Sequence, residues 1–545
     1  MTTHHAPAQE ESTGAGAVTL DGSSLGIADV VRLARPGPGA PSVPVVLSPE
    51  AVDRSLRSVR MRDALLARGA PVYGVTTGFG GSADMRIGPE GAAETQRNLI
   101  MYHLNGVGPY APPEVVRATL LIRANCLARG DSAIRPLVIE RLLRHLATDV
   151  LPRVPERGSL GASGDLVPLC YVAAALLGVG ETQVDGRTVP LAAAQRAAGL
   201  APLELEAKEG LALINGTAFT TAFAALAVHD AARLAAAAEI TTALACEALT
   251  GNASHFDEFI QRAKPHPGQG TSAAMIRRVL SGSRLTTTYE ELAAGEGALT
   301  GSGVTRQARR IQDPYSLRCA PQVIGVLRST LEWADPWITT EMNSSTDNPL
   351  FSPDDERLHH GGNFYAGHVG QAMDSLKLAV SNVGDLLDRQ LALLVDERFS
   401  LGLPANLVPP GPRTRAGLHH GFKGMQIAAS AVTAEALKLA GPASVFSRST
   451  EAHNQDKVSM ATIAAREART VVELTRQVTA ITLLASVQAL ELRGLHRASP
   501  AARRVHALVR ADVPFTDHDR RMDHDIAYAA GLLLHGTLAE AAFGA

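Results

Sequence analysis

Residues 217–249 read TAFTTAFAALAVHDAARLAAAAEITTALACEAL, and this stretch decides the class of fold. Apolar residues recur in it at three- and four-residue spacing, the period of an α-helix, and charges are few. A helix that is apolar nearly all round is buried inside a bundle rather than laid on a surface. The same period runs through 112–128, 135–148, 366–396, 426–441 and 460–492, and 496–545 also reads as helical. Segment 366–396 has a clearer polar face, with Asp374, Lys377, Asp385 and Arg389. Strand patterns are weak and confined to the first part, at Pro44–Leu47 and Pro71–Val75, and no βαβ alternation or internal repeat is present. The expected fold class is therefore mainly α, with a long-helix bundle core and a smaller mixed N-terminal region. The expected division is a tail at 1–20, an N-terminal domain at 21–215, and a helical core with C-terminal helices at 216–545.

Composition narrows the function. The 545 residues are 46% hydrophobic and 19% charged, enough apolar material for a large core. A net charge of −3 gives no electrostatic footprint for nucleic acid or an acidic membrane. Cys126, Cys170, Cys246 and Cys319 are far apart, show no zinc-ligand spacing and read as buried reduced thiols. Residues 1–17 lack the apolar core of a signal peptide. The apolar run Leu166–Val179 is too short to span a membrane and contains Pro168, so a cytoplasmic protein without a membrane partner is expected. The glycine-rich segments 74–81 and 295–297 lack the Gly-Lys-Ser/Thr and dinucleotide patterns that cradle phosphates, and nucleotide binding is discounted.

The chemistry centres on Gly158-Ser-Leu-Gly-Ala162-Ser163-Gly164-Asp165. Attack of the Gly164 amide nitrogen on the Ala162 carbonyl, with loss of water and of the Ser163 hydroxyl, would give a methylidene-imidazolone ring (MIO). Such a ring is an electrophile that no ordinary side chain supplies. Gly164 suits the attack because it lacks a Cβ and reaches backbone angles closed to other residues. An isolated Ala-Ser-Gly reads far more readily as a plain flexible loop. Asp165 is placed to cap a helix beginning near Leu166, with Pro168 tolerated in its first turn, aiming the positive helix end at 162–164.

The surrounding residues reverse that reading. GSLGASGDLVPL (158–169) resembles the signature of the aromatic amino-acid ammonia-lyase and histidine ammonia-lyase superfamily. The matches continue in YGVTTGFGG (73–81), EGLALINGT (209–217), PHPGQ (265–269), QDPYSLRCAPQ (312–322), NSSTDNPL (343–350), HGGNF (360–364), GFKG (421–424) and EAHNQD (451–456). The resemblance covers roughly 45–495. It implies an MIO formed from Ala162, Ser163 and Gly164 without any external cofactor or metal, and a homotetramer whose active sites are shared between subunits. It implies Tyr73 as the base, a role for which a phenol of ordinary pKa near 10 needs help from its neighbours. Arg318 becomes the carboxylate clamp, since a guanidinium offers a planar fork to a carboxylate. Tyr315 becomes the second active-site tyrosine. Asn215, Gln312, Asn348 and Gln455 become the polar groups around the ring and substrate, and Phe364 an aromatic wall.

The resemblance leaves the substrate between alternatives. Tyr102 and His103 occupy the positions that face the substrate ring in the family, where Phe-Leu resembles phenylalanine enzymes, His-Leu tyrosine enzymes, and Ser-His histidine and some tyrosine enzymes. Tyr-His matches none of these. His103 can hydrogen-bond a phenol, or it can bond protein or water and leave room for phenylalanine. Lys423, Glu451 and the direct Gln455-Asp456 pairing resemble phenylalanine enzymes, and the extra Glu of histidine enzymes is absent. The expectation is an ammonia-lyase taking L-phenylalanine or L-tyrosine to trans-cinnamate or p-coumarate, ahead of histidine. A 2,3-aminomutase returning the amine to the β-carbon is the alternative, with an inactive helical assembly protein as a third reading.

Overall fold

A computed structural model describes residues 16–37, 43–296, 301–307, 309–411 and 417–544. The helices follow the period of the sequence: Pro113–Ala128, Pro136–Ala147, Ala218–Ala248, Gly367–Val395, Lys423–Leu439 and Ala461–Arg493, with Pro500–Arg510, Asp523–His535 and Thr537–Phe543 closing the chain. Strand is limited, among the described residues, to four two-stranded sheets. Two long helices escape the periodicity. Ala320–Met342 carries Pro336 in its interior, and Pro49–Ala67 interleaves arginines and serines with its apolar residues. The second starts on a clean signal all the same, since Ser48 accepts the Ala51 amide at 3.1 Å and Pro49 occupies the first helical position.

Three local expectations need correction. Val18–Leu20 pairs in parallel with Val45–Leu47, so the last residues of the expected 1–20 tail belong to a sheet, while 1–15 lie outside the described residues. Pro71–Val75 is not a strand. The Val72 amide donates to Thr76 Oγ1 at 2.8 Å and the Gly74 amide to Thr77 Oγ1 at 3.0 Å, so the two threonine hydroxyls take amides that a ladder would have used. Asp374 and Lys377 do not face solvent. Lys377 is fully buried, bonding Glu467 at 2.6 Å, the Gly441 carbonyl at 2.8 Å and Asp374 at 3.0 Å, and the Asp374 carboxylate accepts the amides of Ala443 and Ser444. All four cysteines are free; three are buried and Cys319 is half-buried.

The chain divides into two compact units built from interleaved segments. The first comprises residues up to Ala222, Thr339–Ala366 and Ser447–Thr462; the second comprises Phe223–Ile338, Gly367–Phe446 and the chain from Ile463 onward. After residue 215 the chain thus re-enters the first unit twice, which a division into consecutive stretches does not anticipate. The first unit buries several charged groups. Arg123 lies at the centre of Pro113–Ala128, a helix whose side chains are almost all buried, and Lys208 meets Asp347 at 2.5 Å with both side chains enclosed. The second unit packs Gly367–Val395 along Lys423–Leu439.

Glu341 gives the first unit a pH-dependent penalty. Thr217 Oγ1 donates to its Oε1 at 2.6 Å, yet burial, with Asp165 adding repulsion, pushes the carboxyl up to about 7. An acid whose folded pKa lies above its unfolded one loses stability as pH rises between the two, because the folded state then resists ionisation. Glu341→Gln, which copies the protonated form, is expected to raise the unfolding free energy from denaturant titration at pH 8 by about 1–3 kcal/mol and to leave it nearly unchanged at pH 4. Equal effects at the two pH values would contradict this.

Candidate active site

The turn around Ser163 is held in a conformation that few residues adopt. Ser163 has φ 54°, between Gly161 at 84° and Gly164 at 80°. A non-glycine residue in the left-handed region persists only where its surroundings over-determine it, and here they do. Gly161 and Gly164 pair across the turn, Gly164 pairs again with Gly216, and the Asp165 amide donates to the Gly216 carbonyl at 2.7 Å. A Cβ on Gly164 would collide with that carbonyl, and one on Gly161 with Ser459 Oγ. The Met460 amide fixes the Leu160 carbonyl at 3.0 Å and Ser159 Oγ donates to the Gly164 carbonyl at 3.2 Å.

Two side-chain amides are aimed at the serine. Asn215 Nδ2 donates to the Ser163 carbonyl at 3.2 Å, and Gln455 Nε2 to Ser163 Oγ at 3.0 Å. If Ala162-Ser163-Gly164 closes, the Ser163 carbonyl becomes the ring oxygen and Ser163 Oγ the departing hydroxyl. A donor already sits on each, and the residues present fit the ring.

Asp165 takes a different role from the expected one. It precedes the helix Leu166–Leu176 but its carboxylate makes no cap there. It accepts instead the Thr220 amide at 2.7 Å, Thr220 Oγ1 at 2.6 Å and Thr462 Oγ1 at 2.9 Å, and so caps the first turn of Ala218–Ala248. Complete burial among neutral donors raises its pKa.

Ser163 opens into a cleft of about 410 Å³ within the first unit, a size suited to a small ligand. Tyr73, Tyr102, His103, Ala162, Asn215, Asn348, Phe364, Glu451 and Gln455 share its lining with Ser163, so the structure brings these expected residues together. Tyr73 Oη accepts the Gly80 amide at 2.9 Å, and Glu451 Oε1 accepts the next amide, Gly81, at 2.8 Å. Gln96 secures the other side of this loop, donating to the Gly74 carbonyl and accepting the Leu211 amide, both at 2.8 Å. Glu451, Ala452 and His453 all have positive φ, a tight turn that lifts the carboxylate toward Gly80-Gly81. Asn348 Oδ1 accepts the Gly361 amide at 2.9 Å.

The Tyr102 and His103 rings lie 4.2 Å apart between centroids. His103 Nδ1 is 2.9 Å from the Leu99 carbonyl, which can only accept, so Nδ1 carries the proton. Burial lowers the His103 pKa and favours the neutral ring, whose Nε2 is then an acceptor. Tyr102 is 57% exposed, and its partial enclosure, with repulsion from neighbouring acidic groups, pushes the phenol up to about 12 and keeps it neutral.

Gln312, Tyr315, Arg318 and Lys423 belong to the second unit and do not line this cleft. Tyr315 is 72% exposed, the Arg318 guanidinium lies 4.8 Å from its ring centroid, and Arg318 Nε is buried with no hydrogen-bond partner among the described residues. Gln312 and Lys423 are exposed. Among the described lining residues the cation is Lys457, which directly follows the EAHNQD block and was not anticipated; nor were Gln96 and Arg123, which act from behind the lining. Among the described residues no group of three or more His, Cys, Asp or Glu is placed to hold a metal ion.

The chain is similar to known proteins along most of its length. The family described as "Aromatic amino acid lyase" matches residues 25–511. A histidine ammonia-lyase of Symbiobacterium thermophilum is 42% identical over 520 residues, covering 95% of this chain and 97% of that protein. A tyrosine ammonia-lyase of Cupriavidus metallidurans is 42% identical over 538 residues, covering 96% and 98%. The crystal structure of a tyrosine aminomutase from Streptomyces globisporus superposes with a TM-score of 0.90 at 38% identity, covering 96% of this chain and 98% of that one.

The Glu451 tether makes a prediction independent of turnover. Glu451→Ala is expected to speed amide exchange in a peptide covering Gly80–Gly81 by up to about tenfold, the worth of one charge-assisted hydrogen bond. Glu451→Gln, which keeps an acceptor, should change it much less. Unaltered exchange in Glu451→Ala would show that the carboxylate does not hold the loop.

Proposed function

The chain belongs to the aromatic amino acid lyase family, and on that premise we propose that it removes ammonia from an aromatic L-amino acid, tyrosine ahead of phenylalanine, to give p-coumarate or trans-cinnamate. The observation that carries this is the convergence of Asn215 and Gln455 on Ser163 in the cleft that also holds Tyr73. Closed, the Ala162-Ser163-Gly164 ring would supply an electrophile for the substrate's amino group. Asn215 would hold its oxygen with an N–H aimed where negative charge gathers.

Tyr73 would accept the β-proton. Its oxygen already receives the Gly80 N–H, a donor that stays matched to it before and after the transfer. Tyr102, His103 and Phe364 would receive the aromatic ring, with the unprotonated His103 Nε2 accepting from a phenol hydroxyl. With the ring bound over it, the half-buried His103 would be left with an unpaired acceptor by a substrate lacking that hydroxyl, which ranks tyrosine before phenylalanine. An imidazole N–H could meet the same acceptor, but the Tyr102 and Phe364 rings favour a six-membered aromatic ring over histidine.

Gln312, Tyr315, Arg318 and Lys423 enter this reading from another copy of the chain. The substrate carboxylate needs a guanidinium, and the exposed Tyr315 with the half-buried Arg318 beside it is a surface for it. A homotetramer with shared sites, inactive as a monomer, follows.

A second reading is a tyrosine 2,3-aminomutase, favoured by the likeness to the Streptomyces globisporus structure. The two diverge only after ammonia leaves, in whether the arylacrylate is released or takes the amine back. Purified protein incubated with L-tyrosine, L-phenylalanine and L-histidine, with products resolved by chromatography, separates them. Arylacrylate as the main product from tyrosine supports the lyase, β-tyrosine supports the mutase, and exclusive urocanate contradicts the aromatic reading.

Two substitutions sharpen it. Tyr73→Phe is expected to lower kcat by about 10²–10⁴ with little change in KM, the contribution of a positioned base. His103→Leu should lower kcat/KM for tyrosine by about tenfold or more and raise the phenylalanine-to-tyrosine ratio. A ratio unmoved by His103→Leu would show that Nε2 does not meet the hydroxyl.

A further inference from the structure

Arg123 is fully buried and touches neither the cleft nor any carboxylate at bonding distance. Its Nη2 donates to the carbonyls of Ala212 and, at 2.8 Å, Asn215, and its Nη1 donates to Thr346 Oγ1 at 3.3 Å. Nε has no hydrogen-bond partner among the described residues, and burial lowers the pKa of the group although Asp347 and Asp165 partly offset this by their charge. Enclosing a guanidinium with uncharged acceptors alone is a poor way to add stability, and an apolar side chain would serve a core position better. The site is nevertheless shaped for it. A Cβ on Gly216 would collide with Arg123 Nη1, so the glycine leaves the space that the cation fills.

The carbonyls it grips belong to the turn that controls Ser163. Asn215 sends its amide to the Ser163 carbonyl, and the Gly216 carbonyl receives the Asp165 amide while Gly216 pairs with Gly164. One planar group thereby sets the peptide against which the three ring-forming residues are aligned.

We infer that Arg123 is a positioning residue for closure of the Ala162-Ser163-Gly164 turn, acting through Asn215 and Gly216. The inference rests on the reading that this turn closes. In that closure Gly164 N bonds to Ala162 C, and the Ala162 oxygen leaves as water with the protons of Gly164 N and Ser163 N. A second water carries off Ser163 Oγ with its own proton and that of Ser163 Cα. Nothing is oxidised or reduced, and no co-reactant is needed, so what the protein contributes is alignment.

The test is intact and peptide mass of the full-length chain, followed in time after refolding, with helicity and assembly size recorded alongside. Wild type should become lighter by two waters. Arg123→Met should close at least about tenfold more slowly, the expected consequence of losing the three charge-assisted bonds. Arg123→Lys should recover part of the rate, and Thr346→Val, which removes only the Nη1 acceptor, should fall between. A merely structural arginine would lower stability and leave closure as fast as in wild type. Wild-type closure in a folded Arg123→Met overturns the inference. Should that variant not fold, wild-type rates in both Arg123→Lys and Thr346→Val overturn it. A wild-type chain that never loses the two waters removes instead the underlying reading of the turn, and this inference with it.

Discussion

Gly164 and Gly216 lie against one another so closely that a side chain on Gly164 would strike the Gly216 carbonyl, and the Asp165 amide is bonded to that same oxygen. This contact between two backbones constrains the rest of the first unit. It holds Ser163 in the left-handed region, brings Asn215 to the serine carbonyl, and sets the entry of the Ala218–Ala248 helix, whose first turn is capped by the Asp165 carboxylate. Strain of this kind costs about 1–3 kcal/mol per residue and is repaid by surrounding hydrogen bonds and burial. A flexible loop would sample the same angles only briefly; this turn is kept in them.

The charges behind the turn belong to the same design. Arg123, Lys208, Asp347 and Asp165 are all buried in the first unit, with Glu341 nearby. Lys208 and Asp347 satisfy each other directly, whereas Arg123 and Asp165 spend their hydrogen bonds on carbonyls, amides and hydroxyls of the segments flanking Ser163. Each such group is costly to bury, and each fixes backbone rather than a partner charge. The cleft above them presents the phenols of Tyr73 and Tyr102, the His103 imidazole, the amides of Asn215, Asn348 and Gln455, the Glu451 carboxylate and the Lys457 ammonium.

Much of this is legible in the sequence, for identifiable reasons. Long helices announce themselves because their apolar period is uninterrupted, as at 217–249, while Ala320–Met342 is masked by its internal proline. Most of the cleft residues fall inside ordered blocks of resemblance, whereas Lys457 lies one residue past the last of them and carries no signal of its own. Asp165 was misassigned because an aspartate before a helix normally caps that helix, and only the fold brings Thr220 and Thr462 to its carboxylate. Arg123 gave no signal, since an arginine in a helix is ordinarily a solvated side chain and nothing local marks it as buried. The polar face expected at 366–396 holds at Asp385 and Arg389 and fails at Lys377 and Asp374, which meet partners remote in sequence. Long-range pairing of buried charge is what periodicity cannot show.

The central claim is that a strained Ala162-Ser163-Gly164 turn becomes the electrophile of an ammonia-eliminating enzyme. The most direct measurement is fragmentation mass spectrometry of the proteolytic peptide spanning residues 158–187, taken from fully active protein. The account predicts that the two missing waters map to residues 162–164 and nowhere else. An intact linear sequence across those three residues in active protein would contradict it.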